Sequence, residues 1–445
     1  MRIIIVGAGA VGSYLAERLS TEGQDVVVIE VDSRRAAELQ DQLDALVITG
    51  NGASQTVLKE AEVDRADLFI AVSSNDGANI LASHAASAMG VKRTVARVED
   101  PGLRQGLTDL DVDVVIDPGE SAAGEIQTLL GESGVSELIE FARGQLVLVG
   151  GIVQDGSPLL SKSASLSDLR TTMDSFDWVV TAVVRGGRTI VAHGETEISA
   201  GDHVLIMVRE QDLDWAKEMI GLHSRKIRRA IVLGTTRVAE LTADLLESQG
   251  MQVVIIDPDQ ARCRVAAERH QGALVVAGDP TDPALLDELD IADDDAVVAL
   301  TSSDEVNIVA SLVAKAMGAA TTISRVNRLS YVGLLSGFGI DATVSVRLAA
   351  ANSILRFVRR GRIHSVATFN DTDAEAIEIE VEASSRSVGQ TLLDLPLPPG
   401  AVIGGILREG DVFVPTGRTE IRARDHLIIF ALPAALPSVE SLFSQ

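Results

Sequence analysis

Residues 3–12 read Ile-Ile-Ile-Val-Gly-Ala-Gly-Ala-Val-Gly, an apolar run that leads into a glycine-rich loop. Helix-forming residues follow over 13–19, and residues 25–30, Asp-Val-Val-Val-Ile-Glu, predict a second strand that ends in a carboxylate. The loop pattern alone is weakly specific, but strand, loop, helix, strand and terminal acid within about 30 residues are typical of a dinucleotide-binding βαβ unit. We therefore predict that a Rossmann-like sheet begins at residue 3.

Each part of this unit has its own predicted role in binding a nucleotide. Gly7 permits the tight turn, Gly9 lets the backbone approach a pyrophosphate, and Gly12 allows the helix to pack closely on the sheet. The start of the helix supplies amide donors and a partial positive charge. Glu30 lies where a carboxylate accepts both ribose hydroxyls of an adenosine. This arrangement favours NAD(H) or an adenine nucleotide over NADP, whose 2′-phosphate the carboxylate repels.

Further strands are predicted at residues 45–48, 68–72, 94–98 and 112–116. Six strands alternating with helices predict a doubly wound parallel sheet, in which the loops after the strands face the ligand crevice. The side chains placed in these loops as candidate ligand contacts are Asn51, Ser73, Ser74 and Arg97. Two alternatives stay open: helix N-capping by the two serines, and a surface ion pair for the arginine.

The chain repeats itself. Residues 71–76, Ala-Val-Ser-Ser-Asn-Asp, return 228 residues later as Ala-Leu-Thr-Ser-Ser-Asp, and residues 194–198, Gly-Glu-Thr-Glu-Ile, return 223 residues later as Gly-Arg-Thr-Glu-Ile. Two different offsets mean that each half contains two modules joined by a connection of variable length. We predict a first Rossmann-like domain (1–140), a first small domain (141–224), a second Rossmann-like domain (228–365) and a second small domain (366–445).

The small domains have a different pattern. Short alternating strands, glycine turns and one closing helix predict an α+β module in each. Neither module offers a catalytic cluster. His203 and His426 occupy equivalent positions in apolar strands, and no cysteine or second histidine accompanies them. Because metal sites need several such ligands, we predict that these histidines belong to the core and expect no metal site.

The second Rossmann-like domain departs from the first at the glycine loop. Residues 230–239 keep the strand and Gly234, but Thr236 stands where the first copy has Gly9. The candidate ligand contacts of this copy are Gly234, Thr235, Thr236, Arg237, Val238 and Asp257. A β-branched side chain at the position of closest approach hinders a dinucleotide, while the ribose acid is preserved. We predict a domain that keeps its fold and has a weakened, changed or lost ligand.

Composition excludes several classes of protein. Hydrophobic residues make up 46% of the 445 residues and aromatic residues only 3%, which suits parallel sheets built from aliphatic side chains. A net charge of −26 disfavours nucleic acid and anionic lipid as partners. One cysteine and no apolar run of about 18–20 residues favour a soluble cytoplasmic chain. Basic residues cluster at 225–229 and 356–362, either as solvated connections or as contacts with an acidic face of a neighbouring protein.

The glycine loop, the repeated segments at 71–76 and 299–308, and residues 395–404 together make the chain resemble the TrkA family of Trk potassium-uptake regulators, which are built from tandem RCK, or KTN, units. The resemblance covers essentially the whole chain. It implies a non-enzymatic cytoplasmic gating subunit that docks on the inner face of a Trk-type potassium channel and assembles into a ring of Rossmann-like domains. It also implies NAD(H) or ATP/ADP as ligand. Carried over by position, the implied contacts are Gly7, Ala8, Gly9, Ala10, Val11, Glu30, Ser73, Ser74 and Arg97, with Gly234 to Val238 and Asp257 in the second copy.

Two alternative functions are weighed against this one. An NAD-dependent dehydrogenase needs a substrate domain with a general acid or base, and the small domains offer no such constellation. A scaffold whose Rossmann-like domains have become purely structural conflicts with the intact series from Gly7 to Glu30 in the first copy.

Overall fold

The structure is a computed structural model that describes residues 1–21, 23–43, 45–104, 107, 111–131, 135–160, 165–172, 177–222, 227–328, 331, 335, 338–358, 363–368 and 374–444. The described residues form two six-stranded parallel sheets and two five-stranded antiparallel sheets. They divide into two compact units, Met1–Ser121 with Val346–Val358, and Ala122–Ser345 with Arg359–Gln445. The predicted fold class, two Rossmann-like parallel sheets each followed by a small α+β module, is confirmed.

The first parallel sheet has the strand order β3-β2-β1-β4-β5-β6. Its strands are β1 (Arg2–Val6), β2 (Asp25–Glu30), β3 (Leu46–Thr49), β4 (Leu68–Ala71), β5 (Thr94–Arg97) and β6 (Val114–Ile116). The helices of this part of the chain are α1 (Ala10–Thr21), α2 (Ser33–Gln42), α3 (Gln55–Glu60), α4 (Asp76–Ala88), α5 (Pro101–Arg104) and α6 (Pro118–Gly131).

Burial on both faces explains the aliphatic sequence of this sheet. Ile3 and Ile5 pack on one face with Leu15 of α1, while Ile4 packs on the other face with Phe69. All of them are fully buried. The crossover helices of a parallel sheet cover both of its faces, so side chains on both faces of the strands are apolar.

The first antiparallel sheet follows, with the order β10-β9-β11-β8-β7. Its elements are β7 (Glu137–Phe141), β8 (Leu146–Ile152), α7 (Leu166–Thr172), β9 (Trp178–Arg185), β10 (Arg188–Val191), β11 (His203–Arg209) and α8 (Leu213–Ile220).

The second parallel sheet repeats the order of the first, as β14-β13-β12-β15-β16-β17. Its elements are β12 (Arg229–Leu233), α9 (Arg237–Ser248), β13 (Gln252–Asp257), α10 (Gln260–Arg269), β14 (Leu274–Ala277), α11 (Pro283–Glu288), β15 (Asp295–Ala299), α12 (Asp304–Ala316), β16 (Thr321–Arg325) and β17 (Ala342–Val344).

The helix α13 (Val346–Val358) follows β17 in the chain but belongs to the first unit. Its Ala351 and Ile354 join the apolar cluster on the first parallel sheet, and the Arg347 guanidinium lies 5.1 Å from the ring centre of Tyr14 on α1. The predicted second Rossmann-like domain, 228–365, therefore includes a helix that packs on the first sheet, and its boundary at 365 stays a prediction.

The second antiparallel sheet has the order β18-β19-β22-β20-β21, which matches the first antiparallel sheet strand for strand. Its elements are β18 (Ile363–Thr368), β19 (Glu375–Glu380), β20 (Ala401–Arg408), β21 (Asp411–Phe413), β22 (His426–Ala431) and α14 (Leu436–Ser444). Apolar side chains of both antiparallel sheets form one buried cluster, in which Phe141 and Met207 meet Ile428 and Phe430.

An arginine–aspartate ion pair occurs at equivalent positions of the two small domains. Arg185 binds the buried carboxylate of Asp202 through two hydrogen bonds of 2.7 and 2.6 Å, and Arg408 binds Asp425 through two of 2.8 Å. Bidentate pairs of this kind fix the orientation of both groups. In the described part of the chain, no helix is both long and apolar enough to cross a membrane.

Candidate functional site

The predicted ligand residues of the first Rossmann-like domain lie at one edge of the first parallel sheet. Val6 at the end of β1 pairs with Ile29 of β2 on one side and with Ala71 of β4 on the other. From β1 the chain moves outward through β2 and β3, and then returns to continue through β4 on the opposite side. A ligand crevice of a doubly wound sheet lies at such a switch point, outside the carboxyl ends of the strands.

The three glycines of the loop after β1 differ in what they make room for. Gly7 has a φ of +97°, and a Cβ there would lie 2.8 Å from the backbone of Ser73. A Cβ on Gly12 would lie 1.9 Å from the carbonyl oxygen of Gly7 and 3.3 Å from a methyl group of Val72. A Cβ on Gly9 meets no atom within 4 Å. The fold therefore requires Gly7 and Gly12, whereas Gly9 borders open space.

Glu30 holds the glycine loop to the end of β2. Its side chain is buried, Oε2 accepts a hydrogen bond from the N–H of Ala8 at 2.6 Å, and Oε1 accepts one from the N–H of Asp32 at 2.9 Å. A carboxylate has about four acceptor positions, so two remain for further donors such as ribose hydroxyls. The side chain predicted to bind ribose thus also shapes the loop.

The remaining loop positions divide into core and surface. Ala8 and Val11 are buried in the apolar cluster that covers the sheet, so only their backbone can face a ligand. Ala10, Asn51 and Ser74 are exposed at the edge of the sheet. Oδ1 of Asn51 accepts a hydrogen bond from the N–H of Ala53 at 2.9 Å, which closes a turn at the start of α3.

A buried asparagine that the sequence analysis missed organises the loop after β4. Oδ1 of Asn79 accepts from the N–H and the hydroxyl of Ser73 at 2.9 and 2.7 Å, and its Nδ2 donates to the carbonyls of Ser73 and Arg97 at 2.9 Å each. Helix N-capping, the alternative role for the serines, belongs to Asn75, whose side chain accepts from the N–H of Ala78. The signal that could have revealed Asn79 is its recurrence, 228 residues later, as Asn307 with the same four contacts.

Arg97 takes part in the ion pair that the sequence analysis considered. Its guanidinium donates to Oε1 of Glu99 through Nε at 2.9 Å and also through Nη2. Asp76 at the start of α4 accepts from the N–H groups of Glu99 and Asp100, both at 2.8 Å, and so fixes this turn. Arg97 lies at the carboxyl end of β5 with its charge compensated.

In the second copy, threonine side chains of the loop form hydrogen bonds with neighbouring parts of the protein. Gly234 keeps the positive φ, at +100°. The hydroxyl of Thr236 donates to the carbonyl of Leu300 at 2.7 Å and caps α9 by accepting from the N–H of Ala239. Asp257 accepts from the N–H and hydroxyl of Thr235 at 3.0 and 2.8 Å. The acid also lies 3.2 Å from Nη2 of Arg262.

The charge of Arg325 is less compensated than that of Arg97, its counterpart in the first copy. Asn327 stands where the first copy has Glu99, and it accepts only a long hydrogen bond of 3.4 Å from Nη2 of Arg325. Within the described residues, Nε of Arg325 has no hydrogen-bond partner. Burial lowers the pKa of this guanidinium. Arg237 occupies the position of Ala10, and Val238 is buried like Val11.

Two further groups of predicted residues are placed as follows. His203 on β11 is buried with Nε2 2.6 Å from the hydroxyl of Ser136, and Nδ1 of His426 lies 3.2 Å from a carboxylate oxygen of Glu378. Of the basic clusters, residues 225–226 and 359–362 fall outside the described residues.

Comparison with known proteins agrees with this architecture. The TrkA-N domain family matches residues 3–118 and 230–346, and the TrkA-C domain family matches residues 152–221 and 376–444. A relative from Archaeoglobus fulgidus, named Trk system potassium uptake protein TrkA homolog, is 34% identical over 447 residues, which cover 100% of each chain.

Two solved structures share the fold. The crystal structure of the GsuK RCK domain gives a TM-score of 0.58 at 18% identity and covers 100% of this chain and 95% of that one. The GsuK channel bound to NAD gives a TM-score of 0.58 at 19% identity, with 100% and 79% covered. At these identities the likeness supports the fold alone. The two TrkA-N and two TrkA-C matches, together with the full-length relative, establish that the chain belongs to the TrkA family.

Proposed function

We propose that this protein is a regulatory subunit of a Trk-type potassium uptake system and that an adenine nucleotide, NAD(H) or ATP/ADP, bound in its first Rossmann-like domain controls a membrane potassium channel. The full-length relative carries the name of a Trk potassium uptake protein, and a solved channel of the same fold is described as bound to NAD. In this proposal the protein works on the cytoplasmic side of the membrane, docks on its channel partner and forms a homo-oligomeric ring. Its proposed role is regulatory and does not include catalysis of a reaction.

The observation that carries the nucleotide proposal is the open space at Gly9 beside the fixed carboxylate of Glu30. A pyrophosphate can approach the backbone at Gly9 and meet the amide groups at the start of α1. The two free acceptor positions of Glu30 then receive the ribose hydroxyls. Ser74, Asn51 and Arg97 lie at the same edge, where phosphate and adenosine contacts are expected.

Control of a channel requires that the nucleotide distinguish two states of the protein. A ligand shifts an equilibrium only by its difference in affinity for the two states. Asn79 donates hydrogen bonds to the carbonyls of Ser73, in the loop after β4, and of Arg97, at the end of β5. This loop is therefore connected to two neighbouring strands of the crevice. We expect the bound nucleotide to act on this loop and through it on the contacts between neighbouring protomers.

Potassium flux through the reconstituted channel partner tests this proposal. Vesicles containing the channel and the full-length protein should show flux that changes when NADH, NAD, ATP or ADP is added. The Gly9→Val variant should bind the channel but not respond to nucleotide. Flux that is the same with and without nucleotide, for a protein that binds both nucleotide and channel, would contradict the regulatory role.

The same preparations distinguish the two alternative functions. A dehydrogenase would oxidise bound NADH in the presence of a 2-oxo acid or another carbonyl substrate, so loss of NADH absorbance on incubation would favour that class. A structural scaffold would bind the channel without binding any nucleotide, and calorimetric titration of the full-length protein decides that question.

For the second Rossmann-like domain we propose a phosphate-rich mononucleotide, ATP or ADP, as a changed ligand. Two arginines support this: Arg237 stands beside the glycine loop, and Arg325 lies at the end of β16 without the acidic partner that Arg97 has. A guanidinium binds phosphate oxygens in a bidentate manner. Arg325→Met should weaken ATP binding at this domain and leave NADH binding at the first domain unchanged, and equal ATP affinity in both proteins would contradict the assignment.

A further inference from the structure

A cluster of titratable side chains lies on the second Rossmann-like domain, away from its ligand edge. Asp244 and Glu247, three residues apart, share one face of α9, and His270 follows the last turn of α10. Nδ1 of His270 lies 2.8 Å from Oε2 of Glu247 and 3.4 Å from Oδ1 of Asp244. Within the described residues, this is the one group of three histidine, cysteine or acidic side chains that could hold a metal ion together.

The imidazole of this cluster is buried in a place where the first copy has an apolar residue. His270 is 1% exposed, and its Nε2 has no hydrogen-bond partner among the described residues. The residue at the same position of the first copy is Leu43, which packs in the apolar cluster beside α1. The first copy also has Ser20 where Glu247 stands. The cluster therefore belongs to the second copy alone.

The net charge of the groups around His270 is negative and favours a divalent cation. Arg269 binds Oε2 of Glu240 at 2.8 Å and the Oδ2 atom of Asp244. It thereby holds Asp244 with the other oxygen turned toward His270. Three carboxylates, counting Glu247, face one guanidinium, so two negative charges remain uncompensated when the histidine is neutral.

We propose that His270 Nδ1, Asp244 Oδ1 and Glu247 Oε2 form a binding site for a divalent transition metal ion, with Zn²⁺ as the best match. One imidazole and two carboxylates are ligands that Zn²⁺ accepts, and the fourth position of its tetrahedron is left to water. Bonds of about 2.0–2.2 Å place tetrahedral ligands about 3.3–3.6 Å apart. The Nδ1–Oδ1 separation of 3.4 Å already fits, and Glu247 has to withdraw by about half an ångström.

Metal binding here requires one proton shift and costs no hydrogen bond at the far side of the ring. A neutral imidazole that donates to Glu247 through Nδ1 must move its proton to Nε2 before Nδ1 can bind the metal. Because Nε2 has no hydrogen-bond partner in the described part of the chain, this shift leaves no additional group there unpaired. The bound ion joins the end of α9 to the end of α10. These are the helices that follow the glycine loop and Asp257, so the ion would stabilise the second Rossmann-like domain.

Titration of the full-length, metal-free protein with Zn²⁺ and Co²⁺ tests the site. We expect one tight site per chain, a Co²⁺ spectrum of tetrahedral intensity, and a higher melting temperature with Zn²⁺. His270→Leu, which installs the residue of the first copy, and Glu247→Gln should each weaken Zn²⁺ binding more than about 100-fold, since even loss of an outer-shell partner costs about 10–100-fold. His426→Gln removes the pair of His426 with Glu378, which belongs to no group of three metal-ligating side chains found among the described residues, and should leave Zn²⁺ binding unchanged.

Several results would overturn the proposal. Wild-type protein that binds no Zn²⁺ excludes the site. Unchanged affinity in Glu247→Gln excludes it even if His270→Leu does not fold, because the amide keeps the size of the side chain. A charge-transfer band of a Co²⁺–thiolate bond would place the ion at Cys263 instead, which lies on α10 with its thiol hydrogen-bonded to the carbonyl of Asp257.

Discussion

The N–H of Ala8 donates a hydrogen bond of 2.6 Å to Oε2 of Glu30, so the glycine loop and the acid that ends β2 form one connected structure. The second copy keeps this connection through Thr235 and Asp257, at 3.0 Å. A charged acceptor makes such a bond about twice as strong as a neutral one. Substitution of the acid therefore changes the loop as well as any ribose contact, and variants of the glycine loop separate the two effects better.

Gly9→Val should abolish nucleotide binding at the first domain without unfolding it. A Cβ at position 9 meets no atom within 4 Å, and the valine side chain would extend from there into the space that a pyrophosphate needs. Calorimetric titration with NADH and ATP measures the affinity, and thermal denaturation verifies the fold. Nucleotide affinity equal to that of the wild type would refute the assignment of the crevice.

Gly12→Ala is the matched control for this variant. Its Cβ would lie 1.9 Å from the carbonyl oxygen of Gly7, so the loop must be displaced. We expect a protein that is destabilised by several kcal/mol, as overpacking and backbone strain are among the causes of large effects. A stable Gly12→Ala protein with normal nucleotide affinity would show that the loop is less constrained than its geometry indicates.

Glu30→Gln should weaken NAD(H) binding by about 10- to 100-fold, because hydrogen bonds to a charged group contribute about 1.5–3 kcal/mol. The same change should reduce the preference for NAD(H) over NADP(H), since it removes the carboxylate that repels a 2′-phosphate. The amide oxygen can still accept from Ala8, but the N–H of Asp32 loses its carboxylate acceptor, so the loop keeps part of its connection to β2. Dissociation constants of both cofactors for both proteins provide the measurement.

The arginines after β2 provide the test of that preference. Arg34 is largely exposed and pairs with Glu38 at 3.2 Å, and Arg35 follows it on α2. If these cations turned toward the ribose they could hold a 2′-phosphate despite Glu30. Comparable affinity of the wild-type protein for NADH and NADPH would therefore contradict the predicted role of the acid.

The sequence was sufficient for the fold because its signals are local and occur twice. The strand ending at Val6, the loop from Gly7 and the acid at Glu30 each follow from neighbouring residues, and the register of parallel strands then brings them to one edge. The helix α13 could not be predicted to pack on the first sheet, because its apolar pattern does not say which of two similar sheets it covers. Asn79 was missed for a related reason: a buried amide joins two strand ends through contacts 18 residues apart, which no spacing rule marks.

Asn79→Ala should destabilise the first domain by about 2–4 kcal/mol, since it leaves the N–H of Ser73 and the carbonyl of Arg97 without their partner. Hydrogen exchange of β4 and β5 in the full-length protein reports the loss. Asn307→Ala should produce the same loss in the second domain and leave the first unchanged. Equal protection in variant and wild type would mean that the loop finds other partners.

The stability of the first domain should depend on pH through Asp67. The Lys92 ammonium at 2.7 Å and the N–H of Arg2 at 3.0 Å hold the pKa of this carboxyl below its usual value. A lowered pKa stabilises the folded state above the pKa of the unfolded chain, and the benefit is lost as the pH falls through the folded pKa. At pH 7, Asp67→Asn should cost at most about 1 kcal/mol because the ion pair is partly exposed.

The difference between Asp67→Asn and the wild type should shrink as the pH is lowered from 7 toward 4 and below, where the wild-type carboxyl also becomes neutral. Urea denaturation at a series of pH values measures it. A difference that stays constant over this range would assign the effect of Asp67 to shape rather than to charge.

The two halves should differ in the number of dinucleotides they bind, with one tight NADH site per chain. Thr236 occupies the position of Gly9, and its hydroxyl is already committed to the carbonyl of Leu300 and to capping α9. Thr236→Gly should open the second edge to NADH, at a cost of only a few tenths of a kcal/mol for the lost cap. Calorimetric stoichiometry of the wild type, Thr236→Gly and Gly9→Val distinguishes the sites. Two equal NADH sites in the wild-type chain would mean that the threonine does not obstruct a dinucleotide.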